Sequence, residues 1–305
     1  MMSVGSVLEL IGHTPLLKLR LTPPGSAAVL AKLEAANPGG SVKDRVALAI
    51  IEDAEARGKL KPGGAVVEVS AGNTAVSLAM VAAAKGYRAI LVMPENAPQE
   101  QRRLLAWLGA EVVLTPAAEG MAGAVGVAHQ MVRRNRHYFL ARQFENPANP
   151  QAHTATAHEV LEATGGRVDA FVCGVGTGGT LTGMGRVLKE RLPGVRVVAV
   201  EPARSPLLSG GRAGTHGIPG LGPDFIPPVL DRGLIDEVIA VSDEDAHSTA
   251  SRLAQEEGLL VGLSSGANVF ASLQVAAGLG EGKQVVTVLP DGPGPAFFSM
   301  LLREP

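Results

Sequence analysis

The residues that could do chemistry gather in four short loops. In Gly174-Val175-Gly176-Thr177-Gly178-Gly179-Thr180 the glycines let the backbone approach a ligand, and Thr177 and Thr180 add hydroxyl donors. Where such a loop opens a helix, unsatisfied N–H groups and the positive end of the helix dipole favour a phosphate. Gly174, Gly176 and Gly179 also satisfy G-x-G-x-x-G, and Glu201 stands about where a dinucleotide-binding acid belongs. An NAD-type site is therefore a rival reading of the same residues, opposed by its mid-chain position and by further polar junctions elsewhere.

Ser70-Ala71-Gly72-Asn73-Thr74 places small hydroxyl and amide residues before a helix-like run, which suits a carboxylate or simple N-capping by Asn73 or Thr74. Gly262-Leu263-Ser264-Ser265-Gly266 matches the G-x-S-x-G nucleophile elbow of hydrolases. Those enzymes need a histidine after the nucleophile, and the last histidine here is His247, so Ser264 reads as a hydrogen-bonding or capping serine. In Asn37-Pro38-Gly39-Gly40-Ser41-Val42-Lys43-Asp44-Arg45, Ser41 is a natural N-cap and Lys43 falls in the first helical turn. A cation opposes the dipole there; the same dipole favours the neutral amine that a nucleophile or base requires. The alternative is a surface lysine beside Asp44.

These loops need elements to hold them. Short apolar runs bounded by Gly, Pro or Asn predict strands at Ala28–Leu33, Ala65–Ser70, Arg88–Met93, Glu111–Leu114, Val168–Cys173, Val195–Glu201, Glu237–Val241, Leu259–Leu263 and Gln284–Leu289. Helix-period runs predict helices at Val42–Arg57, Ala75–Lys85, Gln99–Leu108, Gly120–Arg134, Gly179–Arg191, Asp243–Glu257 and Ala267–Leu279. Alternating strands and helices with unbroken apolar strands make an α/β protein of mostly parallel, twisted sheets covered on both faces. Ligands then sit beyond the carboxyl ends of strands, where all four loops fall. The Pro/Asn-rich Asn146–Pro150 stretch is the expected domain crossing.

Composition narrows the partners. The 305 residues carry 27 basic and 29 acidic side chains, net −2, which gives no electrostatic reason to bind nucleic acid or anionic lipid. With 46% hydrophobic and 18% charged residues the chain has the means to build a core, so wholesale disorder is excluded. The single cysteine, Cys173, makes no internal disulfide, and no Cys/His cluster has zinc spacing. The start lacks a signal-peptide pattern, and the uncharged run Gly258–Gly280 is broken by polar residues and glycine, so no membrane span is expected. A cytoplasmic location is the expectation.

Taken in order, the loops resemble the cysteine synthase (O-acetylserine sulfhydrylase) family of fold-type II pyridoxal-phosphate enzymes. The likeness runs from Gly12-His13-Thr14-Pro15-Leu16 through Asn37–Arg45, Gly72-Asn73-Thr74, Met93-Pro94-Glu95, Gln143-Phe144, Asn146–Pro150, Gly174–Thr180, Glu201-Pro202, Ser205–Gly211 and Gly262–Ala267. The resemblance implies that Lys43 joins pyridoxal 5'-phosphate covalently and acts as the base at Cα. Gly176, Thr177, Gly178, Gly179 and Thr180 would hold the phosphate, Asn73 the ring hydroxyl and Ser264 the pyridine nitrogen. Ser70, Ala71, Gly72 and Thr74 with Gln143 would clamp the substrate carboxylate, and Gly222, in Gly220–Gly222, would border the reacting side chain. The implied activity is β-replacement of O-acetyl-L-serine by sulfide, with O-phosphoserine sulfhydrylase and cystathionine β-synthase-type activity as alternatives. A homodimer and a serine acetyltransferase partner are further implications. The family division assigns 1–34 and 147–305 to a large cofactor-binding domain and 35–146 to a small mobile one.

Three departures stand out. The family's Thr-Ser-Gly-Asn-Thr-Gly is here Ser70-Ala71-Gly72-Asn73-Thr74-Ala75, one hydroxyl and one glycine poorer. The His153–Glu159 segment is a residue short of the usual His-to-Glu spacing. The family's Asp-x-Gly-Glu-Arg-Tyr region reads Asp291-Gly292-Pro293-Gly294-Pro295-Ala296-Phe297.

Overall fold

The computed structural model describes residues 3–294. The chain forms two compact units, one of Gly12–Ala36 with Asn149–Pro293, the other of Asn37–Ala148 with residues 3–11. In chain order the elements begin with β1 (Leu16–Lys18) and β2 (Ala28–Leu33), followed by α1 (Lys43–Ala56), β3 (Ala65–Val69), α2 (Asn73–Lys85) and β4 (Arg88–Pro94). Then come α3 (Gln99–Trp107), β5 (Glu111–Thr115), α4 (Gly120–Arg134), β6 (Tyr138–Leu140), α5 (Ala148–Thr164) and β7 (Ala170–Gly174). The chain continues with α6 (Gly179–Arg191), β8 (Arg196–Pro202), β9 (Glu237–Val241), α7 (Asp243–Glu257), α8 (Leu263–Leu279) and β10 (Gln284–Leu289).

The 37–148 unit holds a four-stranded sheet in the order β5-β4-β3-β6, every pair parallel. All of β3 is buried, because Val66 packs with α1 and α2 on one face while Ala65, Val67 and Val69 pack with Ala124 and Ala128 of α4 on the other. After β3 the chain steps outward through β4 and β5 and then returns to β6 on the opposite side of β3. That reversal opens the carboxyl ends of β3 and β6, as expected at the switch point of an open α/β sheet.

The larger unit repeats the device in the order β1-β2-β10-β7-β8-β9, parallel except for β1 against β2. Here the chain steps outward from β7 through β8 and β9 and returns to β10 on the other side of β7. The α/β expectation with mostly parallel sheets is borne out.

Several elements differ from the sequence reading. Residues 3–11, assigned to the large domain, group with 37–148 because Leu8 and Ile11 pack against the α1–α2 core. The predicted strand Leu259–Leu263 is irregular, joined to its surroundings by Leu259 N–H to Leu253 O and Gly262 N–H to Asp291 O, and α8 already begins at Leu263 rather than at Ala267. It takes no part in the sheet, whose strand order is β1-β2-β10-β7-β8-β9, and Leu260 is exposed. Helix α5 was not predicted, because its buried stripe Asn149, His153, Thr156, Ala157, Val160 and Thr164 has helical spacing but largely polar side chains. The short strands β1 and β6 were also missed. Of the Asp291–Phe297 departure, residues 295–297 lie outside the described residues, as do the predicted domain ends at 1–2 and 295–305.

Candidate functional site

In the larger unit, β7 ends at Gly174 and α6 starts at Gly179 with Gly178 as its left-handed N-cap (φ 82°). The loop is fixed by close backbone approach. A Cβ at Gly176 would collide with the Gly220 carbonyl oxygen, and one at Gly179 with the Asn149 amide. Asn149, fully buried, donates from Nδ2 to Thr177 Oγ1 (2.9 Å), and His153 Nε2 meets Thr180 Oγ1 (3.2 Å). Among the described residues the N–H groups of Gly176, Thr177, Gly178 and Thr180 make no hydrogen bond. Four unsatisfied donors at the positive end of a helix are an anion receptor, and their spacing along one turn suits a phosphate.

The dinucleotide reading fails at its acid. Glu201 is buried and accepts from Leu208 N–H (2.7 Å), Ser209 N–H (3.1 Å) and the Ser209 hydroxyl (2.5 Å), so its carboxylate is committed to its own loop. Ser264 is buried in the first turn of α8, and its hydroxyl has no hydrogen-bond partner among the described residues. No strand precedes it, so the nucleophile-elbow context is absent. Gly222 (φ 57°) donates its N–H to Val175 O (3.0 Å), which sets Gly220–Gly222 beside the α6 loop. Ile218 N–H donates to His216 Nδ1 (3.2 Å), so the proton sits on Nε2, which donates to Gly222 O (3.2 Å).

In the 37–148 unit Lys43 is the first residue of α1 and half-buried. Val42 occupies the N-cap position, yet Ser41 Oγ still accepts the Lys43 N–H (3.2 Å), which retains the capping role read for Ser41. The adjacent Asp44 is no surface partner. Its buried carboxylate accepts Gly39 N–H (2.6 Å) and the Ser77 hydroxyl (2.5 Å), tying the Lys43 loop to α2. A Cβ at Gly39 would collide with that carboxylate, which accounts for the glycine.

Helix α2 starts at Asn73 with Gly72 at its N-cap and no side-chain cap, so the capping reading of Asn73 and Thr74 does not hold. Instead Thr74 donates its hydroxyl to Gln143 Oε1 (2.6 Å), across 69 residues of chain. Ser70 Oγ accepts Gly72 N–H (3.2 Å), and the N–H groups of Ala71 and Thr74 have no hydrogen bond among the described residues. Gly72 and Asn73 are exposed, whereas Ser70, Thr74 and Gln143 are buried. Beneath them Glu68 accepts Val69 N–H (2.7 Å) and Gln143 N–H (3.0 Å). Burial pushes the Glu68 carboxyl up to about 7 against those two donors, and the nearby Glu145 charge adds to the rise.

Each unit thus brings its predicted residues together: Gly176–Thr180 with Gly222 in one, Ser70–Thr74 with Gln143 in the other. Sequence reading missed Asn149, His153, His216 and Glu68 as supports. The Asn-Pro-Ala-Asn-Pro run was the available signal for Asn149. A lone acid in an otherwise apolar strand was the signal for Glu68.

The family described as "pyridoxal-phosphate dependent enzyme" matches residues 7–291. The chain belongs to that family and depends on pyridoxal phosphate. It is 51% identical over 290 residues, 94% of this chain and 93% of the other, to a cysteine synthase of Staphylococcus aureus. Among solved structures, O-acetylserine sulfhydrylase isoform 3 of Entamoeba histolytica aligns with a TM-score of 0.94 at 40% identity, covering 98% of this chain and 91% of that one. The O-acetylserine-dependent cystathionine β-synthase of Helicobacter pylori aligns with a TM-score of 0.89 at 41% identity over 96% of each chain.

Proposed function

We propose that the protein makes L-cysteine and acetate from O-acetyl-L-serine and sulfide. The observation that carries the reading is the α6 start, whose four unsatisfied N–H groups suit a phosphate, in a chain so similar to a cysteine synthase. In this reading Gly176–Thr180 hold the cofactor phosphate, Asn73 the ring hydroxyl and Ser264 the pyridine nitrogen. Bound pyridoxal phosphate supplies the electron sink for the negative charge that develops at Cα. Lys43 would hold the cofactor, and its amine would serve as the base that takes the Cα proton as acetate leaves Cβ and returns a proton to Cα after sulfide adds at Cβ. The Ser264 hydroxyl would face the pyridine nitrogen without a full negative charge, so, unlike a carboxylate, it would not stabilise the protonated ring, which would favour elimination over racemisation. Thr74, Gln143 and the loop N–H groups bind the substrate carboxylate, and Gly222 borders its side chain.

The leaving group follows from charge. Ser70–Thr74, Gln143 and Gly217–Gly222 contain no Arg or Lys, and Arg212 is exposed without an ion pair among the described residues. A phosphate ester calls for a well-placed cation, whereas a neutral acetyl ester does not. Purified protein should be yellow, borohydride should fix the cofactor on the Lys43 peptide, and kcat/KM should favour O-acetylserine over O-phosphoserine. A colourless protein that binds NAD overturns the reading; preference for O-phosphoserine that collapses in Arg212→Ala makes Arg212 the phosphate reader. Cystathionine formed faster than cysteine when homocysteine competes with sulfide would move the assignment to that second activity. We further propose a cytoplasmic homodimer that binds serine acetyltransferase, tested by light scattering and by calorimetry with that enzyme. No described helix is long and apolar enough to cross a membrane.

A further inference from the structure

We infer that Glu68 is an ionisable positioning residue of the substrate-carboxylate site, its carboxylate fixing Gln143 and, through Gln143, the Thr74 hydroxyl. The inference rests on the β-replacement reading above. Both Glu68 oxygens act as acceptors, Oε1 from Val69 N–H (2.7 Å) and Oε2 from Gln143 N–H (3.0 Å), an arrangement that describes the ionised carboxylate. Gln143 Oε1 in turn accepts the Thr74 hydroxyl (2.6 Å), so one chain of hydrogen bonds runs from the buried acid to the start of α2. A proton on Glu68 turns one oxygen into a donor facing an N–H group. The bond to Val69 is local and short, so the longer bond to Gln143 is the one that yields, and the Gln143 backbone shifts with its amide.

The surroundings make this proton exchange a neutral-pH event. Alternation along β3 puts Glu68 on the face of Val66, towards α1 and α2. Helix α1 brings buried Asp44 and Arg45 to that side, and α2 brings Lys85, held by Glu52 (3.8 Å) and Glu55 (2.8 Å). Strand β4 carries Arg88 at its exposed start, paired with Glu111 (2.8 Å), and the turn after β6 carries Arg142 and Glu145, paired at 3.4 Å. The charges of α4, His129, Arg133 and Arg134, belong to the helix on the opposite face of the sheet. Burial is the largest influence on the acid and Glu145 adds to it, placing its titration at about 7.

The test compares holoenzyme and its Glu68→Gln and Gln143→Ala variants between pH 6 and 8.5. In the parent, KM for O-acetyl-L-serine should rise about tenfold as pH falls through 7, the low end of what a hydrogen bond to a charged group is worth. Its kcat and its KM for sulfide should change less than about twofold, since the effect lies in amino-acid binding. Glu68→Gln should show the high KM at every pH, and Gln143→Ala should lose the pH limb although Glu68 is intact. Ionisation of the substrate itself cancels in the ratio of variant to parent. A limb that persists in Gln143→Ala, or a Glu68→Gln variant with parental KM and profile, overturns the inference. Equal loss for both substrates assigns Glu68 a purely structural role and also overturns it. If the parent makes no cysteine, the β-replacement reading fails; the dissociation constant of O-acetyl-L-serine, from the change in cofactor absorbance, still decides the role of Glu68.

Discussion

Two strand-to-helix loops of this protein have the same outline and opposite mechanics. Gly176–Thr180 is packed from behind: all three of its glycines, Gly176, Gly178 and Gly179, meet neighbouring groups where a side chain would sit, and Asn149 and His153 hold its threonines. Ser70–Thr74 has its outer residues, Gly72 and Asn73, in the open, and a Cβ at Gly72 would meet nothing within 4 Å. Its order comes from below, from Thr74, Gln143 and Glu68. The first arrangement suits a group that stays bound through turnover. The second suits a group that enters and leaves each cycle.

Substitutions can break or sharpen this contrast. Gly176→Ala should have the largest effect, because the added methyl meets backbone rather than a movable side chain; overpacking of that kind costs about 1–3 kcal/mol, and loss of the cofactor's visible absorbance on gel filtration checks it. Thr74→Val should come next. Removing the hydroxyl leaves Gln143 Oε1 without that donor, worth about 1–2 kcal/mol, so KM for O-acetylserine should rise roughly tenfold with cofactor absorbance intact. Ala71→Ser should tighten amino-acid binding by up to about 1.5 kcal/mol, read from absorbance titration; unchanged affinity would show a site rebuilt around alanine. Gly72→Ala should do least, within about 0.5 kcal/mol in urea unfolding, since the position is extended and exposed. Equal losses in Gly176→Ala and Gly72→Ala would abolish the distinction.

The two loops were legible in the sequence because each gathers several glycines and small polar residues at a strand-to-helix junction, more than a cap alone requires. Their supports were not. Asn149 and His153 sit on a helix whose buried stripe is polar, so a search for apolar periodicity passes over α5. Gln143 meets Thr74 only because the chain returns to β6 beside β3, a consequence of strand order that local patterns do not encode. The apolar run at Leu259–Leu263 failed for a related reason: a run that short does not specify pairing, and here only Val261 is buried while Leu260 is exposed. The cap at Ser41 was right in kind and displaced by one position, within the usual tolerance of helix ends.

The buried acid under the carboxylate site has a thermodynamic consequence of its own. Its folded-state value of about 7 stands above the ordinary 4.5, so between those limits the folded chain holds a proton that the unfolded chain has released. Stability from this group is complete below the unfolded value and is lost as pH rises through the folded one, so the parent should lose more resistance to urea than Glu68→Gln between pH 5 and 8. The ionised form, which shapes the site, is therefore the less stable form. Linkage then runs both ways: if the amino acid prefers ionised Glu68, its arrival expels a proton from the protein near neutral pH. Part of the heat of binding should accordingly depend on the ionisation enthalpy of the buffer, and that part should vanish in Glu68→Gln.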